Sequence, residues 1–135
     1  MLRNILATIF GLIAAMLTVY VFESLISHNL FTYPEGADLD DMEWIKNNMA
    51  SIPMGAKVFV VIGHFMGLAM GMLIAGLISK TSMNPAYIVA GFMIAATAFV
   101  TFALPKGFWF LVGEVVGVVA GFYFGKTLAQ RHVFN

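Results

Sequence analysis

Four runs of this sequence, residues 5–27, 58–79, 85–104 and 108–125, are each long enough and apolar enough to cross a bilayer. A spanning helix needs roughly 20 mostly apolar residues, because each residue rises about 1.5 Å through a hydrocarbon core about 30 Å thick. The expected fold is therefore all-α: a polytopic membrane protein, a four-helix transmembrane bundle forming a single domain over residues 1–135. The lipid bilayer is its first expected partner. Composition points the same way, since 61% of residues are hydrophobic and 10% are charged, against about 25% charged in a soluble domain. The first run follows Arg3 as a signal peptide would. Its uncharged stretch, residues 4–22, is longer than a typical signal h-region, so it is read as a retained helix.

The ends of the runs carry ordinary helix punctuation. Asn84-Pro85 offers an N-cap followed by a proline at the first helical position, and Pro105-Lys106-Gly107 reads as a tight polar turn. One long connection, residues 28–57, holds Glu35, Asp38, Asp40, Asp41 and Glu43. Asp40 and Glu43 have capping-box-like spacing. Leu39, Met42, Ile45 and Met49 then recur at helical intervals beside Trp44, which predicts a short amphipathic helix on the membrane surface. A calcium loop is the sharper reading of Asp38, Asp40, Asp41 and Glu43, but that cluster lacks the turn glycine and the distant bidentate glutamate of an EF-hand. Arg3, Lys80, Lys126 and Arg131 fall on one side of the four spans, and Lys46, Lys57 and Lys106 on the other. That margin, with the acidic loop translocated, places both termini in the cytoplasm. A net charge of zero provides no footprint for nucleic acid, and the absence of cysteine excludes disulfides, thiolate metal sites and thiol catalysis.

Small residues recur every four positions in two of the runs. The second carries Gly63, Gly67, Gly71 and Ala75; the fourth carries Gly113, Gly117, Gly121 and Gly125. Helices in lipid gain little from the hydrophobic effect when they meet, and small residues let their backbones approach and recover dispersion energy. These glycine stripes are therefore candidate helix-packing surfaces, within the chain or in a homo-oligomer or a larger membrane complex. Their offset of fifty residues also sets His64 against Glu114, the pattern of two repeated helical hairpins with the long loop inserted in the first. Spaced glycines are also common in membrane helices for packing alone.

An ionisable side chain at mid-membrane costs on the order of 2.5–3.5 kcal/mol on insertion scales, so Glu23, His64 and Glu114 require compensation. All three fall in the outer third of the bilayer, with His64 and Glu114 about 9 Å inside their spans. Tyr20 and Ser27 share a helix face with Glu23, Thr101 lies at similar depth, and His28 sits where the first helix meets the loop. Four readings are open. The first is a polar cluster that joins the helices of an accessory or scaffold bundle, with Glu23 or Glu114 protonated or paired to His64. The second is a proton or ion relay in a small transporter. The third is a metal site built from Glu23, His28, His64 and Glu114; beyond such a metal ion no cofactor is expected. The fourth is a membrane-embedded enzyme, which no nucleophile, phosphate-loop or cofactor motif supports. Met66, Met70 and Met72 read as adaptable packing rather than copper ligands, and Phe108, Trp109 and Phe110 as an interfacial aromatic belt.

Glu23 and His28 ending the first helix are followed by Tyr33-Pro34-Glu35-Gly36, Asp38, and then Ser51-Ile52-Pro53-Met54-Gly55-Ala56. With the Gly-rich second helix, and Pro105 followed by Trp109, this order resembles a group of small four-helix bacterial inner-membrane proteins of unassigned function. Lys106 stands where that resemblance leads one to expect a second histidine. The resemblance implies a bacterial plasma membrane and no particular mechanism.

Overall fold

The structure is a computed structural model describing residues 1–133. Helices α1 (Leu2–Leu30), α3 (Met54–Ser79), α4 (Asn84–Ala103) and α5 (Phe108–Val133) are long and apolar enough to cross a membrane, which marks a multi-pass membrane protein. The loop between α1 and α3 contains one further helix, α2 (Met42–Asn48), and a single 3-10 turn, Met49–Ser51. No strand occurs among the described residues.

The helices outrun the apolar stretches. Helix α1 begins at Leu2 and ends at Leu30, α3 starts at Met54 directly after Pro53, and α5 continues to Val133. An apolar run marks only the part of a helix that matches hydrocarbon, whereas the backbone hydrogen-bond ladder can continue past it into water. Two caps shift by a residue from their expected places. Asp41, not Asp40, caps α2 and accepts from the Glu43 N–H at 2.9 Å, because Asp38 Oδ1 already accepts from the N–H groups of Asp40 and Asp41 at 3.1 and 3.2 Å. Asn84 is the first residue of α4 rather than its cap, with Met83 in the cap position and the Asn84 N–H donating to Ser82 Oγ at 3.2 Å.

Helix α1 is not uniform. Val21–Ile26 forms a π turn between α-helical segments, and this wider turn carries Glu23. Such single π turns inside α-helices recur at functional sites.

Helix α3 is central. It packs most extensively on α5 and α1 and less on α4, while α4 and α5 scarcely touch each other. The core centres on Leu68 and Met72 of α3, with Ala15, Val89 and Ala129 from the helices around it. The two glycine stripes face different partners. Gly67 and Gly71 meet Ala15 and Gly11 of α1, where a Cβ on Gly71 would lie 2.9 Å from the Gly11 carbonyl oxygen. Gly117, Gly121 and Gly125 instead meet α3, where a Cβ on Gly121 would lie 2.9 Å from the Phe65 carbonyl oxygen. Gly63 is tight against Phe22, whereas a Cβ on Gly113 would meet Val61 at an ordinary 3.6 Å. At the opposite end from the loop, buried Ser79 lies 3.0 Å from Asn4 Oδ1 and 2.8 Å from the Ser82 carbonyl, and Arg3 donates to the Ser79 carbonyl.

Candidate functional site

Three spanning helices deliver Glu23, His64 and Glu114 to one point on the loop side of the bundle. The π turn presents Glu23, and the helix starting at Met54 sets His64 about 15 Å from that helix end at 1.5 Å per residue. His64 Nε2 lies 3.3 Å from Glu23 Oε1, and His64 Nδ1 lies 3.0 Å from Glu114 Oε1. One imidazole thus separates two carboxylates, with a different ring nitrogen turned toward each. These are ion-pair approaches rather than aligned hydrogen bonds: Glu23 Oε1, His64 Nδ1 and Glu114 Oε1 are buried, and none makes a hydrogen bond to another described residue.

The second oxygen of Glu114 is held more tightly. Lys106 Nζ and Thr101 Oγ1 both donate to Glu114 Oε2 at 2.6 Å, and Lys106 Nζ also lies 3.3 Å from Thr101 Oγ1. The Lys106 and Glu114 side chains are each 2% exposed. The ammonium sits 4.7 Å from the centre of the Phe110 ring, within cation–π range. An oxygen that accepts from two donors carries no proton itself, so Glu114 Oε2 is an acceptor only.

Lys106 is the member that the sequence reading missed. It lies in the Pro105-Lys106-Gly107 turn, outside every apolar run, and its long stem carries the ammonium back down into the bundle. The available signal was charge balance, since two acids inside the spans need a cation within reach.

Other candidates fall elsewhere. Tyr20 is 55% exposed. The π turn breaks the regular register that would place it on the face of Glu23. Ser27, on the other flank, is buried and lies 2.6 Å from the Tyr33 hydroxyl. His28 is exposed, with Nδ1 2.8 Å from the Ser24 carbonyl and its ring 4.9 Å from that of Tyr33. The ligand set Glu23, His28, His64 and Glu114 is therefore not brought together. Among the described residues no group of three or more His, Cys, Asp or Glu side chains is placed to hold a metal ion.

Glu23, His64 and Lys106 reach the lining of a cavity of about 270 Å³ on the loop side. Leu39, Met42, Ile45 and Met49, the apolar positions in and beside α2, also line it, together with Lys57. The amphipathic pattern in the loop is therefore turned toward the bundle. A second cavity of about 320 Å³, almost wholly apolar, lies between α4 and α5, and Thr101 and Glu114 line it. It marks the seam where those two helices part. No protein-family model, curated protein or solved structure matches this chain.

Proposed function

We propose that this chain is a small multi-pass protein of a bacterial plasma membrane, with both termini in the cytoplasm, and that Glu23 and His64 form a proton-exchanging site open to the loop-side cavity. The observation that carries this reading is the imidazole held between two carboxylates at the cavity edge.

Glu114, fixed by Lys106 and Thr101, keeps its carboxylate oxygen Oε1 3.0 Å from His64 Nδ1, and that negative charge favours a proton on the nitrogen. His64 Nε2 and Glu23 Oε1 then share one further proton. With the proton on nitrogen, an imidazolium faces a carboxylate. With it on oxygen, a carboxylic acid faces a neutral imidazole. The two arrangements carry the same net charge, so moving the proton between them leaves the net charge of the site unchanged. The ionic form buries two opposite charges, and their mutual attraction offsets part of that desolvation cost. Glu23 is the more exposed partner, with 32% of its side chain accessible, and it is the point at which the pair exchanges protons with the cavity.

The test is to follow the ring nitrogens of His64 by nitrogen-15 NMR as pH is varied in lipid discs, for wild-type protein and Glu23→Gln. Exchange between Glu23 and His64 requires the wild-type ring shifts to move with pH, and requires that response to change in Glu23→Gln with melting unaltered. Ring shifts that ignore pH, or that respond identically in both proteins, would overturn the reading. A purely structural role has one observation in its favour, because the network draws side chains from all four spanning helices or their connecting turn. That second reading requires Glu23→Gln and His64→Gln to lower stability without any separate effect on proton exchange.

A further inference from the structure

The loop-side cavity has the make-up of a small-molecule site. Its volume of about 270 Å³ is close to the lower bound of roughly 300 Å³ for ligand pockets, which combine apolar walls with a few convergent polar groups. Its walls are mostly aliphatic and thioether side chains, and its charged groups are Glu23, His64, Lys106 and Lys57. Three of these four already face a partner in the network. Lys57, half-buried in the first turn of α3, has no ion pair or hydrogen bond from its ammonium among the described residues.

We propose that this cavity binds a monoanionic amphiphile, a carboxylate head on an apolar chain, with the head on Lys57 and the chain against Leu39, Met42, Ile45 and Met49. Charge decides the class of ligand. Lys106 and Glu114 cancel, and the Glu23–His64 pair with its one shared proton is neutral overall, so Lys57 leaves the site with one uncompensated positive charge. An anionic head removes it. A cationic head would face Lys57, Lys106 and His64, with Glu23 alone to attract it.

A linkage follows, and it rests on the proton-exchange reading above. Without ligand the site becomes neutral when the pair loses its proton. With a bound anion it is neutral when the pair keeps it. Anion binding therefore draws a proton onto Glu23 and His64, and the proton in turn tightens the anion by the same factor. The charged and titratable groups around that pair are Glu114 from α5, Lys106 from the turn after α4, Lys57 from α3, and Tyr33 from the loop.

The experiment uses the whole protein in discs of zwitterionic lipid, with empty discs subtracted. Octanoate, octylammonium and octanol share one chain and differ in head charge. Calorimetry should show saturable octanoate binding, tighter than for the other two. Lys57→Gln should weaken it roughly tenfold or more, the loss of one charge-assisted contact. Lys57→Arg should largely restore it, with equal melting of both variants as the folding control. No saturable octanoate binding, octylammonium binding as tight as octanoate, or an unchanged affinity in Lys57→Gln would each overturn the site. Comparing oleate with octanoate assigns the source: tighter oleate means a bilayer fatty acid, and tighter octanoate means a carboxylate arriving from water. Repeating the titration in buffers of different ionisation enthalpy counts protons. Lys57-dependent binding without proton uptake would leave the site standing and sink the proton-exchange reading, so the two failures are distinguishable.

Discussion

Lys106 shows how a residue outside the apolar runs can decide the chemistry inside them. Its ammonium neutralises a glutamate that is 2% exposed, and removing one partner of a buried ion pair typically costs about 3–5 kcal/mol because the other charge is left stranded. Lys106→Met keeps much of the stem and deletes the charge, so it should destabilise the protein by about that amount in a detergent unfolding titration. Adding Glu114→Gln should restore a large part of the loss, since the stranded charge is then gone. A double variant no more stable than Lys106→Met would show that the pair is not what holds Glu114 in place. Glu23, His64 and Glu114 were legible in the sequence because ionisable groups inside apolar runs are costly and therefore conspicuous. Lys106 was not, because nothing in a proline–lysine–glycine turn says whether the side chain points to water or folds back. The expected grouping of Tyr20 and Ser27 with Glu23 assumed an unbroken α-helical register, and a π turn leaves no mark in a run of Val, Phe, Glu, Ser, Leu and Ile.

Among the elements, spacing located both glycine stripes but could not name their partners. Each stripe repeats every four residues, yet α3 turns its glycines to α1 while α5 turns its glycines to α3. The difference within a stripe was equally invisible. A methyl group on Gly121 would press on the Phe65 backbone, which cannot rotate away, whereas one on Gly113 meets only the tip of Val61. Gly121→Ala should therefore cost about 1–3 kcal/mol through overpacking, and Gly113→Ala should leave thermal melting within error of wild type. Equal melting of the two variants would mean that the α3–α5 contact tolerates separation. The number and order of the spanning helices followed directly from hydropathy, because lipid imposes a minimum length and excludes charge. Their true ends did not, because past the hydrocarbon a helix is maintained by its own hydrogen bonds and caps rather than by the solvent.

On the scale of the whole molecule, the orientation proposed from the lysines and arginines can be checked by labelling. Cysteines introduced singly at Gly36 and Asn135 should differ in intact cells, with Gly36→Cys modified by an impermeant thiol reagent and Asn135→Cys protected. The opposite pattern would invert the topology and set the loop-side cavity facing the cytoplasm. Helix α3 touches every other spanning helix, while the last two spans barely meet, and this has a consequence for the order in which the chain is made. Chains are synthesised from the amino terminus and membrane helices insert before they associate. The first two spans can therefore close on each other, glycine to glycine, while the ribosome is still making the third. The fourth span has no comparable partner in the third, so it must find the far face of α3, already present and unoccupied. A nick in the short connection after Ser79 would thus divide the chain into one piece that has its principal packing partner and another that has none until the first is there. Early synthesis of α3 makes it the template on which the last-made helix is assembled.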